Sequence, residues 1–178
     1  MTSWTAADLP SFSGRTVVIT GANSGLGSVT ARELARVGAQ VVLAVRDPRK
    51  GKKAADGWGL GVPPARRVGA PPAGGGLPRA GETGDVKVRR LDLQDLSSVR
   101  EFADGTASLD VLVNNAGVMA VPYAQTKDGF ESQIGTNHLG HFALTNLLLP
   151  KVADRVVTVS SLMHWMGYIS LRDLNWTK

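Results

Sequence analysis

Short apolar runs that alternate with helical patterns constrain the fold of this 178-residue chain more than any other feature. Five runs predict strands: TVVIT at 16–20, QVVLAV at 40–45, VKVRRLD at 86–92, LDVLVNN at 109–115 and RVVTVSS at 155–161. Most are apolar at consecutive positions, which is typical of strands covered on both faces of a parallel sheet. Strands that alternate with helices predict an α/β fold with a doubly wound parallel sheet of the Rossmann type.

The segments between these runs predict helices. Apolar residues recur at near-helical spacing over residues 26–37, and Gly38 supplies a stop. Asp95 is placed to cap the helix that follows the third strand. Residues 128–149 predict a long helix that ends at Pro150, because proline cannot continue the helical hydrogen-bond pattern.

Residues 57–84 interrupt this pattern where the crossover helix between the second and third strands should lie. They hold nine of the 21 glycines and five of the nine prolines, so neither a helix nor a strand can persist there. We expect a disordered insertion in a single domain that spans residues 1–178. A frameshifted or non-coding piece is an alternative, because GC-rich codons read out of frame yield Gly, Pro, Ala and Arg. A mobile lid or a basic nucleic-acid arm is a third hypothesis, although Trp58 is the only aromatic residue there that could stack on bases.

The composition excludes several classes of function. The chain has no cysteine, which excludes disulfides and thiolate metal sites. No apolar run approaches the roughly 20 residues needed to cross a bilayer, and the first 15 residues lack the pattern of a secretory signal. We therefore expect a cytoplasmic protein with no membrane span and no nucleic-acid partner, and we leave its oligomeric state open. The net charge of +5 suits an anionic ligand, but a soluble domain that happens to be basic is the simpler explanation.

The first strand ends in the sequence TGANSGLG at residues 20–27, a glycine turn ahead of a helix. Such a turn directs backbone N–H groups and the positive end of the helix at one point, which favours a pyrophosphate there. Gly21 permits the tight turn, Gly25 lets the backbone approach a ligand, and Gly27 lets helix and strand pack closely. The glycine spacing differs from the Gly-x-Gly-x-x-Gly fingerprint, so a plain strand-to-helix turn is the alternative.

Further motifs follow this turn in order along the chain: LDL at 91–93, NNAG at 114–117, GTNHLGHF at 135–142 and VVTVSS at 156–161. The series resembles the short-chain dehydrogenase/reductase family, and it is most similar to the retinol-dehydrogenase-like and bacterial oxidoreductase members. The resemblance covers most of residues 12–175 outside the Gly/Pro-rich insertion. It implies a single partial dinucleotide-binding domain, and hydride transfer between a nicotinamide cofactor and a small alcohol or carbonyl substrate, which family alone suggests to be apolar.

The resemblance also assigns a cofactor-binding set: Gly21, Asn23, Ser24, Gly25, Leu26, Gly27, Arg46, Asp92, Leu93, Asn115, Ala116 and Gly117. Asp92 is expected to accept a hydrogen bond from the adenine amino group, and a loop or capping aspartate is the alternative. The small residues at 115–117 leave room for the cofactor ribose at the switch point of the sheet. Asn114 is expected to tie strands together.

For catalysis the resemblance implies two residues, Asn137 and Ser161. Asn137 would brace the active site through a water, which would explain a poor helix former inside a long helix, and a surface asparagine is the alternative. Ser161 would donate its hydroxyl hydrogen to the substrate oxygen as negative charge develops there. We expect no metal site, and we interpret the three histidines as packing or surface residues.

The residue that follows the second strand bears on the choice of cofactor. A carboxylate ending that strand would bind the ribose hydroxyls of NAD, whereas this chain has Val45 followed by Arg46. Arg46 can pair with a 2′-phosphate through two hydrogen bonds, so we expect NADP(H), with NAD(H) as the alternative. Asp47 complicates this prediction because it could neutralise part of the arginine charge. A solvated surface charge is the remaining interpretation of Arg46.

The sequence departs from the family at the proton-transfer step. The family uses a tyrosine with a lysine four residues later, and this chain contains no Tyr-x-x-x-Lys. Tyr123 precedes the catalytic asparagine, and Tyr168 has Arg172 at the fourth position. We expect the missing pair just past Lys178, which leaves the sheet incomplete on its C-terminal side and the chain without activity. Three hypotheses follow: the cofactor-binding N-terminal portion of an oxidoreductase, a non-catalytic NADP-binding module, or an unstable truncated or frameshifted gene product.

Overall fold

The computed structural model describes residues 4–59, 84–170 and 172–177, and within them a five-stranded parallel sheet forms the centre of the fold. The strands are β1 (Thr16–Thr20), β2 (Gln40–Val45), β3 (Val86–Arg90), β4 (Leu109–Asn114) and β5 (Val152–Thr158). Their spatial order is β3-β2-β1-β4-β5, and every pairing is parallel. The chain winds outward on one side of β1 and then on the other, so the predicted doubly wound fold is confirmed.

Helices cover both faces of this sheet. They are α1 (Gly25–Arg36), α2 (Pro48–Asp56), α3 (Leu96–Asp104), α4 (Ser132–Ile134) and α5 (Gly140–Leu148). A π-helical turn over Gly135–Leu139 joins α4 to α5, and a 3-10 turn over Leu149–Lys151 follows α5. No helix of the described ranges has both the length and the apolar character needed to span a membrane.

Capping residues fix where the helices begin and end. The Asp47 side chain accepts a hydrogen bond from the Arg49 N–H at 2.9 Å at the start of α2, where Pro48 is the first residue. Asp95 caps α3 as the sequence predicts, accepting from the N–H groups of Ser97 and Ser98. Gly38 follows α1 at a φ of 94°, a left-handed conformation that ends the helix.

The apolar strand residues divide into two cores, one on each face of the sheet. One core joins β1, β2 and β4 to the buried alanines of α1, and it contains Val17, Ile19, Val41, Leu43, Val45, Ala31 and Ala35. The other lies beneath α3 and α5, and it contains Val18, Leu112, Val99, Phe102, Leu144 and Leu148. Neighbouring residues of one strand therefore point into different cores, which explains why these strands are apolar at consecutive positions.

Several predicted boundaries are wrong by a few residues, most clearly at the fifth strand. It runs from Val152 to Thr158, not from 155 to 161. The Val159 N–H still donates to the Asn114 carbonyl at 2.9 Å, but the chain then leaves the sheet for a 3-10 turn at Leu162–Met166. Ser160 and Ser161 therefore do not end the strand, because β4 ends at Asn114 and offers no further partner.

The long predicted helix also differs in its details. It begins at Ser132, because Glu131 caps it by accepting from the N–H groups of Gln133 and Ile134. The preceding residues form a tight turn in which the Thr126 N–H donates to the Phe130 carbonyl at 2.8 Å. Pro150 lies inside the final 3-10 turn instead of just after the helix.

The interruption after the second strand is described only at its ends. The helix that precedes it, α2, ends at Asp56, and residues 57–59 and 84 belong to no helix or strand. Trp58 packs against the first core, and its indole N–H donates to the Ser28 hydroxyl of α1 at 3.1 Å. The disordered insertion is predicted over residues 57–84, and all of it except 57–59 and 84 lies outside the described residues.

Candidate functional site

A cleft of about 410 Å³ lies at the carboxyl ends of the central strands. It sits at the switch point between β1 and β4, where the direction of winding reverses and where ligands bind in open α/β sheets. Of the predicted cofactor-binding residues, all except Gly25 line it: Gly21, Asn23, Ser24, Leu26, Gly27, Arg46, Asp92, Leu93, Asn115, Ala116 and Gly117. Four short sequence segments that are far apart in the chain therefore meet at one place.

Glycine is required at three positions of the turn, and the geometric reasons differ. Gly21 has a φ of 66°, and a Cβ atom there would lie 2.9 Å from both the Cα and the Cβ of Ala116. A Cβ on Gly27 would lie 2.9 Å from the Gly21 carbonyl oxygen and closer still to the Asn115 side chain. Gly25 has a φ of 55° and open space around its Cβ position. Gly21 and Gly27 are thus required by close approach, and Gly25 by backbone conformation.

The N-terminus of α1 borders the cleft, which Ser24, Leu26 and Gly27 line. Ser24 precedes the helix in an extended conformation, and its hydroxyl makes no capping hydrogen bond. The first intrahelical bond is donated by the Ser28 N–H to the Ser24 carbonyl at 3.2 Å. The N–H groups of residues 25–27 therefore have no intrahelical partner, and the helix dipole makes this end attractive for an anion.

Thr20, the last residue of β1, joins the two halves of the cleft. Its buried hydroxyl oxygen accepts from the N–H groups of Asn115 and Ala116, each at 2.9 Å. The Asn115 side-chain amide donates back to the Thr20 carbonyl at 2.9 Å. Sequence reasoning missed Thr20, although a hydroxyl residue at the end of an otherwise apolar buried strand was a usable signal.

Asn114 connects β4 to the neighbouring strand β5, as expected, and also to the covering helix α5. Its side-chain amide donates to the hydroxyl of Thr145 in α5 at 2.9 Å and to that of Thr158 in β5 at 3.4 Å. Its side-chain oxygen is buried and has no hydrogen-bond partner among the described residues. The side chain therefore points away from solvent and supports the strand end that carries Asn115.

Asp92 lies on the opposite side of the cleft, next to the apolar surface of Ala44, Leu91 and Leu93. One carboxylate oxygen accepts from the Gln94 N–H at 3.0 Å, and the Asp92 N–H donates to the Ser98 hydroxyl at 3.0 Å. These bonds hold the carboxylate at the rim. Asp92 is therefore a loop aspartate that also lies beside an apolar surface suited to a flat heterocycle. This position is compatible with both interpretations from the sequence, an adenine-binding aspartate and a loop aspartate.

Arg46 is exposed at the end of the cleft, directly after β2. Asp47 does not neutralise it, because the Asp47 carboxylate caps α2 and pairs with the Arg49 side chain at 3.2 Å. Hydrogen bonds from the Arg49 side chain and backbone lower the pKa of Asp47. Within the described ranges Arg46 forms no ion pair with a carboxylate, so its charge remains available to a ligand.

Asn137 lies in the π-helical turn and fastens the loop that follows β4. Its side-chain oxygen accepts from the Val118 N–H at 2.8 Å, and its side-chain amide donates to the Val118 carbonyl at 2.8 Å. Val118 itself lines the cleft. Asn137 is exposed, but unlike a solvated surface asparagine it makes two hydrogen bonds to the Val118 backbone. It also lies in a π-helical turn, and such turns occur frequently at functional sites.

Ser161 and the two tyrosines do not line this cleft. Ser161 is exposed at the start of the 3-10 turn after β5, and its hydroxyl oxygen accepts from the Met163 N–H at 3.2 Å. Tyr123 is exposed, and Tyr168 has 88% of its surface exposed and lines a separate cleft beside Glu131 and Trp176. Within the described residues, neither tyrosine lines the cleft that holds the glycine turn.

The histidines separate into two kinds. His138 and His164 are exposed, whereas His141 is buried and hydrogen-bonded through both ring nitrogens. Sequence reasoning missed the contacts of His141, because nothing in the pattern relates it to the end of β1. Among the described residues, no group of three or more histidine and acidic side chains is placed to hold a metal ion.

This geometry defines a class of protein. A glycine turn after the first strand, an uncapped helix N-terminus and a cleft at the switch point together define an α/β protein of the Rossmann type. The family model described as short chain dehydrogenase matches residues 15–59 and 78–172. The chain therefore belongs to the short-chain dehydrogenase/reductase family, as its motifs predict.

Individual relatives agree with this assignment. Retinol dehydrogenase 14 of Homo sapiens is 46% identical over 170 residues, which is 91% of this chain and 49% of that protein. The crystal structure of an uncharacterized Mycobacterium paratuberculosis protein has a TM-score of 0.82 and 65% identity, covering 99% of this chain and 57% of the other. A metagenomic short-chain oxidoreductase in complex with NADP has a TM-score of 0.61 and 26% identity, covering 84% of this chain and 63% of that one. The chain spans about half the length of the relatives it matches.

Proposed function

We propose that this chain is the cofactor-binding portion of an NADP(H)-dependent oxidoreductase that interconverts an alcohol and a carbonyl compound. The observation that carries the proposal is the convergence of the predicted cofactor-binding residues on one switch-point cleft beside an uncapped helix end. The residues present fit such a cofactor because Gly21 and Gly27 let the segment at 115–117 pack directly against the turn, while Gly25 has open space around its Cβ position. The bound nicotinamide supplies or accepts the hydride.

Each part of the cleft has its own proposed contact with the dinucleotide. The amides of residues 25–27 bind the pyrophosphate, since they lack intrahelical partners and lie at the positive end of α1. Asp92 accepts a hydrogen bond from the adenine amino group. The wall beside the ribose is formed by three small residues, Asn115, Ala116 and Gly117. Hydrogen bonds from this segment to Thr20, and from the adjacent Val118 to Asn137, hold the wall in place.

The preference for NADP(H) rests on Arg46. An exposed guanidinium at the end of β2 is positioned for a 2′-phosphate, and Asp47 is already occupied by α2 and Arg49. The related short-chain oxidoreductase that was solved with NADP supports the same choice. NAD(H) remains the alternative cofactor.

Two observations support the proposed class of substrate, the names of the relatives and the hydrogen bonding of Ser161. Relatives named retinol dehydrogenase support a small apolar alcohol or carbonyl compound. The Ser161 hydroxyl oxygen accepts from Met163, so its hydrogen remains available to polarise a substrate oxygen. Asn137 contributes by holding the backbone at Val118, which lines the cleft. The cytoplasmic location expected from the sequence stays a prediction.

A non-catalytic NADP-binding module is the second candidate function. It is favoured by one observation: neither tyrosine of the chain lines the cleft, so no phenol is positioned to move a proton there. An unstable gene product is the third possibility, and a cooperative unfolding transition of the purified chain would exclude it.

Titration with NADPH and NADH, followed by nucleotide fluorescence, tests the proposal. We expect NADPH to bind more tightly, and Arg46→Ala to weaken NADPH binding about tenfold while leaving NADH unchanged, since one bidentate charged contact is lost. Arg100→Ala is the matched control, because Arg100 is exposed on α3 and does not line the cleft. Equal affinities for the two nucleotides, or an unchanged NADPH affinity in Arg46→Ala, would refute the choice of NADP(H).

A further inference from the structure

His141 occupies the space between the glycine turn and the π-helical turn. It lies in α5 and is 6% exposed. Its Nε2 atom lies 2.9 Å from the Thr20 hydroxyl oxygen, and its Nδ1 atom lies 3.1 Å from the Asn137 carbonyl oxygen. A single imidazole therefore connects the end of β1 to the helical turn that carries Asn137.

The hydrogen-bond partners determine which nitrogen carries the hydrogen. The Asn137 carbonyl can only accept, so Nδ1 must be the donor. The Thr20 oxygen already accepts from two backbone amides, which uses both of its lone pairs, so the Thr20 hydroxyl must donate to Nε2. His141 is therefore neutral, with its hydrogen on Nδ1. Burial acts in the same direction, because it lowers the pKa of His141.

This arrangement sets the orientation of the Thr20 hydroxyl. With its hydrogen directed at Nε2, both lone pairs face the N–H groups of Asn115 and Ala116. Without the imidazole, the other acceptor within reach is the Val113 carbonyl at 3.4 Å, which is long for a hydroxyl donor. The hydroxyl would then turn, and the two amides of the cleft wall would lose part of their acceptor.

Packing alone does not explain a histidine at this position. Leucine or phenylalanine would fill a buried space in α5 without the cost of desolvating two ring nitrogens. His141 does not line the cleft and so does not contact the cofactor or the substrate directly. Its two hydrogen bonds, both directed at groups that shape the cleft, are what distinguish it from an apolar core residue.

We propose that His141 is a positioning residue: through Thr20 it fixes the Asn115–Ala116 backbone, and through Asn137 it fixes the loop at Val118, so that one side chain aligns both walls of the cleft. The consequence for cofactor affinity rests on the proposed function, whereas the hydrogen-bond network does not. No role for His141 follows from the motifs themselves, because the glycine turn and the NNAG segment lie far from it in sequence.

The first test uses nuclear magnetic resonance on the full ¹⁵N-labelled chain without cofactor. We expect the ring nitrogens of His141 at pH 7.5 to show a protonated Nδ1 and a bare Nε2. In His141→Leu, hydrogen exchange at the Asn115 and Ala116 amides should accelerate about three- to tenfold relative to the Leu112 amide of β4, the range of one lost hydrogen bond. In His141→Gln, whose amide oxygen can accept from Thr20, most of the protection should return.

Leu144→Ala is the matched control for these variants. Leu144 is buried in the same helix and contacts neither Thr20 nor Asn137 through a hydrogen bond, so its truncation destabilises α5 without altering the network. It should change exchange at Leu112 and Ala116 by the same factor. A hydrogen on Nε2 in the wild-type chain, or unchanged relative exchange in His141→Leu, would overturn the proposal.

The second test measures NADPH affinity in the same four proteins. His141→Leu should weaken binding about tenfold, His141→Gln less, and Leu144→Ala not at all as long as the variant is folded. If His141→Leu and Leu144→Ala weakened NADPH binding equally, His141 would contribute only to stability, and its positioning role would be overturned. A wild-type chain that binds no NADPH would instead refute the proposed function, and the exchange measurements would still decide whether the network exists.

Discussion

At the scale of single residues, Gly21 is the position on which the shape of the cleft depends most directly. Its φ of 66° disfavours any L side chain, and its Cβ position is blocked by Ala116 from the opposite wall. A substitution therefore meets two penalties, one local and one tertiary. Gly14 offers a comparison, because it has a φ of 79° but no atom within 4 Å of its Cβ position.

We predict that Gly21→Ala abolishes measurable NADPH binding and lowers the free energy of unfolding by more than Gly14→Ala does. Gly14→Ala should cost about 1–2 kcal/mol, the penalty of the left-handed conformation, and leave nucleotide affinity unchanged. Urea denaturation and nucleotide fluorescence measure the two effects. If Gly21→Ala bound NADPH as tightly as Gly14→Ala, the close approach of β1 to the NNAG segment would not be essential to the site.

At the scale of elements, β5 is the strand with the least cover. It forms one edge of the described sheet, its residue Val157 is 42% exposed, and Val159 just after the strand is 48% exposed. Apolar edge strands offer unpaired backbone groups to other chains and promote aggregation. The sequence predicts such an exposed edge for the fifth strand, and the described residues show one.

We predict that Val157→Lys reduces self-association of the purified chain, because a charged side chain on an edge strand disfavours edge-to-edge pairing. The cost in the free energy of unfolding should be about 1 kcal/mol or less, since the side chain is already half exposed. Concentration-dependent light scattering provides the measurement. Val29→Lys on α1 is the control, because Val29 is similarly exposed, at 50%, but lies on a helix. An equal reduction by both variants would point to net charge rather than the edge.

At the scale of the whole molecule, the proposed cofactor binding and the family's proton transfer depend on different residues. The cleft contains the predicted cofactor-binding residues, while the chain has no Tyr-x-x-x-Lys and both of its tyrosines lie outside the cleft. Ser161 cannot replace the phenol, because an unassisted hydroxyl stays protonated at neutral pH. General acid and base catalysis typically contributes about 10²- to 10⁴-fold to an enzymatic rate.

We therefore predict that the 178-residue chain turns over apolar aldehydes with NADPH at least about 100-fold more slowly than a version extended through a Tyr-x-x-x-Lys sequence. The measurement is a paired assay of NADPH consumption at equal concentrations of folded protein. The extended version with that tyrosine changed to phenylalanine is the control, and it should be as slow as the short chain. Comparable turnover by the short chain would require another proton donor, and Tyr168 would be the first residue to replace.

The sequence by itself determined the order of elements and most of the cleft. Consecutive apolar residues in the strands predict burial on both faces, and the glycines at 21, 25 and 27 predict a turn ahead of α1, because these signals are local. Asp95 as a cap and Gly38 as a stop are local for the same reason. Motif resemblance added Asp92, Asn115 and Asn137, whose chemistry no local pattern could assign.

Only the tertiary structure decided which side chains meet. Asp47 pairs with Arg49 and caps α2 instead of pairing with Arg46. Asn137 binds the Val118 backbone, and His141 contacts Thr20 in another element. These pairs, unlike a cap or a turn, are set by packing between elements that are distant in sequence. The position of Ser161 outside β5 has the same origin, since the length of that strand is limited by where β4 ends. Local propensity carries no information about such contacts, because the free energy that selects them arises only when the layers assemble.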